Sequence, residues 1–384
     1  MNLSESEKLR TLLAGETDLV VINSCAVTTE AVRQTRQAIR RARRARPDAR
    51  LLVTGCAAEV ERAALAAMPE VDGLIANMAK LDPRAWNVAP AHDNPLTLSL
   101  SKGHTRAFVA VQNGCDHACT FCVIPRGRGP SRSVPVEGVL SDIHRHLDCG
   151  TAEVVLTGVD LTSWGHDLPG SPGLGTLVEA ILTRFPALPR LRLSSLDGIE
   201  IDPLLFELLA SEERVMPHLH LSLQHGHDLI LKRMKRRHLC SDAVDLVARL
   251  KARRLELAVG ADLIAGFPTE SGDGHRANLA VIAELDIVHG HVFPYSARPG
   301  TPAARMPQVE PPTIKARAAE LRAAAAIQRA KWLKSLVGKP LTILAERDGT
   351  GHAPNFARVA LPPGTRAGEL VTLTPTRIVE GLLA

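Results

Sequence analysis

Aromatic residues are scarce, with one Tyr, three Trp and seven Phe in 384 residues. Few rings means few platforms on which bases can stack, so any nucleic-acid contact must lean on charge and be salt-sensitive. No apolar run is long enough to span a bilayer. The opening MNLSESE lacks the apolar core of a signal peptide. The seven cysteines are odd in number, and three of them fall between positions 115 and 122. That argues against a disulfide framework and for a reducing, cytoplasmic setting. Acidic residues are outnumbered, 41 against 46 Lys and Arg, for a net charge of +5. This balance suits a polyanionic partner without demanding one. Apolar residues are plentiful at 45%, enough for a sizeable core in a chain with room for two or three domains.

The first section, residues 1–86, alternates strand and helix. An apolar run at 19–23 reads as a buried strand and ends at Ser24-Cys25. A helix is expected from 28 to 46, stopped by Pro47, then a strand at 51–53 ending at Thr54-Gly55-Cys56, then a helix at 59–68. This order marks a parallel sheet. Both cysteines stand just past strand ends, the edge where open α/β sheets bind ligands. Pro83, Pro90 and Pro95 punctuate the approach to a linker over 87–103. Residues 104–312 then repeat one unit, with strands expected at 107–111, 153–157, 191–194, 218–223, 257–264 and 287–293. Helical stretches lie between them, among them 136–147, 174–185 and 242–254. Six such units predict a partly open (βα)6 barrel. A connecting helix over 313–337 follows. Residues 338–384 switch to short strands at 341–345, 356–361 and 370–373, broken by Gly and Pro, which predicts a small all-β module. The fold class is α/β throughout the first two sections.

The most informative segment is GCDHACTFCVIP, where Cys115, Cys119 and Cys122 stand as Cys-x3-Cys-x2-Cys. Three thiolates hold three irons of a four-iron, four-sulfur ([4Fe-4S]) cluster and leave the fourth iron open to a small molecule. The competing reading is a structural zinc site with His117 as fourth ligand. Zinc sites usually repeat a Cys-x2-Cys pair with a second pair further on, and none follows here. The loop follows the first barrel strand, at the mouth where barrel enzymes keep their chemistry.

With these residues in view, the chain resembles the radical S-adenosylmethionine (SAM) methylthiotransferases over nearly its whole length. The segment 115–135 (CDHACTFCVIPRGRGPSRSVP) is similar to that family's cluster loop, and so are LTGV at 156–159, SLQHG at 222–226 and LKRM at 231–234. DLIAGFPTE at 262–270 and HVFPYSARPGTPA at 291–303 match as well. NSCAVT at 23–28 and TGC at 54–56 resemble the branch acting on N6-threonylcarbamoyladenosine in tRNA. Branches acting on isopentenyladenosine-tRNA or a ribosomal protein usually carry other residues after the first of these cysteines.

The resemblance implies an N-terminal methylthiotransferase domain, a radical SAM barrel and a C-terminal TRAM domain that binds RNA. It implies that Cys115, Cys119 and Cys122 hold the [4Fe-4S] cluster that chelates SAM, with Phe121 shielding its edge. The chemistry expected is reductive SAM cleavage and hydrogen abstraction from C2 of adenine at position 37 of tRNA, followed by methylthio transfer. Thr157 and Gly158, Gln224-His225-Gly226 and Gly266-Phe267 close barrel strands and are expected to line the SAM and substrate pocket. A tight strand-to-helix turn would ask for the same glycines. His225 is a candidate acid–base residue, with a satisfied wall histidine as the plain alternative. A second, auxiliary [4Fe-4S] cluster is implied on Cys25 and Cys56. Its usual first cysteine would fall upstream of Met1, so a start further upstream is expected. Taken alone, Cys25 and Cys56 read as small buried residues at strand ends. Cys149 and Cys240 match nothing and read as inert thiols.

Arg33, Arg36, Arg40, Arg41, Arg43, Arg44 and Arg46 crowd one helix, and Arg126, Arg128 and Arg132 follow the cluster loop. Such density suits the phosphates of an anticodon stem-loop, although a solvated helix face is the default for a charge run. Lys232, Arg233, Lys235, Arg236 and Arg237 form another basic stretch. A single-stranded loop would let the target base leave its stack cheaply. Further expectations are a flavodoxin- or ferredoxin-type electron donor, no membrane, and a monomer. A non-catalytic iron–sulfur RNA-binding protein is the rival class. The barrel motifs count against it, since a binding module needs no SAM pocket.

Overall fold

In a computed structural model of the chain, residues 2–87 and 105–384 are described. The linker expected over 87–103 lies outside them apart from Asn87. The chain divides into two compact bodies. One holds residues 2–87, Asn113–Arg132 and Ser296–Arg305; the other holds 105–112, Ser133–Tyr295 and Met306–Ala384.

The first body is built on a three-stranded parallel sheet of Leu19–Ser24, Arg50–Gly55 and Gly73–Leu74. The expected helix spans Thr29–Ala45, with Thr28 as its cap: the hydroxyl accepts from the Ala31 amide at 3.1 Å. Val32, Thr35 and Ile39 fall on one stripe of that helix and are buried, Val32 and Ile39 against Leu51 and Val53 of the sheet. The sequence reading misses the helix Asn2–Leu12, whose Leu9 packs with Leu13, Leu52 and Trp86. It also starts the next helix too late. Helix begins at Cys56 itself (Cys56–Val60), directly after Gly55.

The second body is a row of parallel strands. Arg106–Ala110, Glu153–Thr157 and Arg190–Leu193 form one sheet; Ser195–Leu196, His218–Gln224, Ala258–Ala265 and Ile287–Pro294 form the next. Leu193 and Ser195 flank Ser194, so one chain segment serves both sheets. That makes six barrel strands in sequence order. Leu219, Leu221, Leu223, Val259, Ala261 and Leu263 share the main core with helix residues such as Leu246, Leu250 and Ile282. Alternation therefore sends His218, His220, Gly260 and Asp262 to the opposite face of the sheet.

The helix Pro311–Leu336 buries Ala318, Leu321 and Ala325 against this core and Leu333 and Leu336 against the C-terminal strands. Those strands form a six-stranded sheet around Ile343, Val359 and Leu383. Thr350–His352, Ile378–Val379 and Leu382–Leu383 are strands that the sequence reading leaves unassigned, being two or three residues long. Buried Glu153 holds the Arg192 guanidinium at 2.7 Å, and Arg192 donates on to Pro354 O at 3.0 Å. Arg190 donates to Thr342 O and His352 O, fastening the small module to the barrel strands.

Candidate functional site

In the first body, parallel register pairs Ser24 with Gly55, so Cys25 and Cys56 leave the sheet side by side at its C-terminal edge. Gly55 is required there. Its φ is +91°, and a Cβ would stand 2.3 Å from Ser24 O. Cys56 is buried and Cys25 half-buried. Burial pushes the Cys56 thiol up, against the pull of Arg128 and Lys80. Gly127 lies against it, where an added Cβ would meet Cys56 Cβ at 3.1 Å. Asn77 donates to Gly127 O at 2.5 Å and lies 3.8 Å from Cys56 Sγ.

Beside this pair sits a buried charge cluster. Glu5 binds Arg128 Nη1 at 2.7 Å and Lys80 Nζ at 2.7 Å, and Arg128 also donates to Asn113 Oδ1 at 2.9 Å. Burial alone would raise the Glu5 carboxyl, but these cations hold it below its ordinary value. Arg128 therefore departs from the phosphate-contact reading. Only 6% of it is exposed, and its guanidinium is committed to Glu5 and Asn113. One carboxylate against two cations leaves one positive charge in excess next to Cys56. Asn23 Oδ1, Thr54 Oγ1 and Asn77 Oδ1 are buried here without a hydrogen-bond partner. Two thiols, an excess cation and orphaned polar atoms fit an anionic group held by Cys25 and Cys56.

The loop of Cys115, Cys119 and Cys122 belongs to the same body. Gly114 opens it at φ +78°, with an added Cβ 1.9 Å from Pro130 O. The amide of Cys115 donates to Gly129 O at 3.2 Å and that of Cys122 to Cys119 O at 3.2 Å. Ala303 N–H reaches Thr120 O at 2.9 Å, and Arg126 donates to Pro299 O at 2.7 Å, so 296–305 braces the loop from its own body. None of the seven cysteines is in a disulfide. The amides of His117 and Ile124 point at Cys115 Sγ and Cys122 Sγ, each at 3.4 Å. Half-buried thiols that accept backbone N–H bonds are the donor chemistry of a thiolate-held cluster. Phe121, just before the third thiol, is half-buried.

In the second body the strand ends behave as a set of tightened turns. Thr157 is buried, its hydroxyl donating to Val109 O at 3.3 Å. Gln112 Oε1 accepts from the amides of Val159 and Asp160 at 3.0 and 2.9 Å, and the backbone at Gly158 comes close to the same side chain. Gln224 and Gly266 both have φ near +70°. Gly226 donates to Asn278 Oδ1 at 3.1 Å, and a Cβ there would be 2.6 Å from Ala277 O. Glu270 is a hub the sequence reading missed. Its Oε2 accepts from the amides of Gly266 and Phe267, at 2.5 and 3.0 Å, and its carboxylate lies 3.3 Å from Arg317. His225 lies 3.7 Å from the same carboxylate and accepts from the His227 amide at 3.0 Å. His225 is fully buried, burial pushes it below its ordinary value, and its Nε2 has no hydrogen-bond partner. Phe267 is fully buried too, edge-on to Tyr295, so it supports the turn from behind. Glu270 was visible only as the last letter of GFPTE; Gln112 had no sequence signal.

The arginine-rich helix is divided in use. Arg36 pairs with Glu61 at 2.9 Å, Arg40 with Glu70 at 3.7 Å and Arg33 with Glu30 at 2.6 Å. Arg43 binds Asp72 and the carbonyls of Pro47, Ala49 and Glu70. Arg41 and Arg44 are exposed. In the second basic stretch, Arg236 and Arg237 are drawn to buried Asp197 at 2.8 and 3.3 Å.

Residues 109–277 match the model of the radical SAM superfamily, which sets the zinc alternative aside, and residues 1–76 match uncharacterized protein family UPF0004. The chain is 41% identical to the threonylcarbamoyladenosine tRNA methylthiotransferase MtaB of Rickettsia prowazekii (strain Madrid E), covering 100% of this chain and 94% of that protein. It is 31% identical to a tRNA-2-methylthio-N(6)-dimethylallyladenosine synthase of Cereibacter sphaeroides (strain ATCC 17025 / ATH 2.4.3), over 98% and 93% of the two chains. Among solved structures it resembles the radical SAM methyltransferase TsrM of Kitasatospora setae with cobalamin and [4Fe-4S] cluster bound. The TM-score is 0.55 at 17% identity, over 77% of this chain and 68% of that one, a likeness of fold alone.

Proposed function

The chain belongs to the radical SAM tRNA methylthiotransferases, and we propose that it adds a methylthio group to C2 of N6-threonylcarbamoyladenosine in tRNA with two iron–sulfur clusters. Cys115, Cys119 and Cys122 are the residues to hold the SAM cluster. Cys25 and Cys56 are those to hold the auxiliary one. When bound, such clusters supply reductive cleavage of SAM and a place for sulfur. The observation that carries the reading is the Cys115–Cys122 loop, pinned by Gly114 and with backbone amides aimed at two of its thiols.

The rest of the chain orients and encloses. The Gln112-held turn and the Glu270-held turn keep two strand ends rigid for SAM and the adenine, the role proposed for Gly158, Gln224, Gly226 and Gly266. Exposed Arg41 and Arg44 are the clearest candidates for phosphates of an anticodon stem-loop, with target base 37 unstacked in the loop. The C-terminal strands serve as a TRAM-like RNA-binding module. Electrons come from a flavodoxin- or ferredoxin-type donor. No described helix is long and apolar enough to cross a membrane, and a tRNA substrate suits a cytoplasmic enzyme.

The test is anaerobic reconstitution, metal analysis, and mass spectrometry of nucleosides from tRNA incubated with SAM and reductant. About eight irons per chain and a 2-methylthio derivative of threonylcarbamoyladenosine are expected. About four irons would refute the auxiliary cluster on this chain. A product on dimethylallyladenosine would refute the substrate.

A further inference from the structure

Three adjacent barrel strands bring two imidazoles and a carboxylate to one point that the reading above does not use. They are His220 of His218–Gln224, Asp262 of Ala258–Ala265 and His291 of Ile287–Pro294. Register pairs His220 with Gly260 and Asp262 with His291, which puts all three side chains on the sheet face opposite the helices. Asp262 Oδ1 lies 3.1 Å from His220 Nε2 and 3.3 Å from His291 Nδ1. The three potential ligand atoms all lie within 4.8 Å of one another.

The place is built. A Cβ on Gly260 would fall 2.3 Å from His220 Nδ1, so the missing side chain at 260 is what lets the imidazole lie against its neighbour strand. His220 is buried and Asp262 half-buried, while 61% of the His291 side chain is exposed, leaving one side open to solvent.

A hydrogen-bonded brace accounts for buried His220 on Asp262 but not for His291, since a carboxylate paired with a mostly exposed imidazole adds little stability. Donors bound at about 2.0–2.1 Å around a tetrahedral ion stand about 3.3 Å apart. Two separations here already match, and the third nitrogen lies within 4.8 Å, so a small turn of the His291 ring would close the set. Two imidazoles and a carboxylate with open positions are the donor set of catalytic zinc and of non-haem iron(II). We propose that His220, Asp262 and His291 form a divalent transition-metal site, separate from the cysteine-held clusters, whose open positions take water or an anionic oxygen ligand.

The test uses the full chain with its clusters reconstituted anaerobically, so that the cluster cysteines are occupied. Zinc ion is added, the protein is desalted, and zinc, iron and sulfide are measured. About one zinc per chain should stay on the parent protein, and zinc affinity should fall at least about tenfold in Asp262→Asn and in His291→Ala. Iron and sulfide should not change in either variant. His291→Ala alters an exposed side chain, so it remains readable if Asp262→Asn folds poorly. No zinc on the parent would leave only a hydrogen-bonded brace and overturn the proposal. Equal zinc on parent and variants would place the metal elsewhere and overturn it too.

Discussion

Replacing Glu5 with Gln should expose how the N-terminal body is held. Gln keeps the shape and removes the charge, leaving Lys80 at 2% exposure and Arg128 at 6% as two buried cations without a carboxylate. Both lose an ionic contact of 2.7 Å. Breaking one buried pair costs about 3–5 kcal/mol, and two orphaned charges put this case at the upper end. Native-state hydrogen exchange in Leu19–Ser24 and Arg50–Gly55 reads the opening free energy of this body directly. Adding Lys80→Met removes one of the two orphans and should return at least about 1–2 kcal/mol. A thiolate-held cluster on Cys25 and Cys56 would set an anion beside the same cations, so the penalty should shrink after iron–sulfur reconstitution. A cost of Glu5→Gln below about 1 kcal/mol, or a double variant less stable than the single one, would refute the charge argument.

Gly114→Ala forces a Cβ to within 1.9 Å of Pro130 O at φ +78°, so iron content after reconstitution should fall by about the four atoms of one cluster; unchanged iron would mean the loop tolerates the strain. Arg41→Ala with Arg44→Ala should lower the slope of log affinity for tRNA against log salt by about 1.4–1.8 without moving the melting temperature. Arg43→Ala should do the reverse, because its guanidinium closes on Asp72 and three carbonyls. Burial pushes His289 down to about 3 from an ordinary 6.5, so its neutral form stabilises the fold above 6.5 and that contribution drains as pH falls toward 3. About 2–3 kcal/mol should go between pH 6.5 and 4.5, read as melting temperature against pH, and His289→Gln should flatten that slope.

Much of the fold was legible because its signals are local. The six barrel strands are short β-branched or leucine-rich runs, and all six fall where the periodicity places them. The Thr29–Ala45 helix carries its own cap and its own stop. The two- and three-residue strands of the C-terminal sheet were not legible, since so short a stretch has no period to read. The site divides in the same way. Cysteine spacing announces a cluster loop by itself, because three thiolates on one loop must sit at fixed intervals to reach one cluster. Gln112 and Glu270 announce nothing. Each acts by accepting backbone amides from a turn that the fold alone brings to it.

The sequence by itself determined the family, the chemistry and the cysteines, since those rest on residue types at short spacings. Tertiary structure decided what became of the charges. A run of arginines looks uniform in the chain, yet Arg43 is spent on carbonyls while Arg41 and Arg44 face solvent. Arg128 reads as a surface cation and ends up buried against Glu5, 123 positions away. His220, Asp262 and His291 are separated by dozens of residues and meet only because parallel register aligns their strands. Electrostatic roles depend on distance and burial, and both are properties of the folded chain.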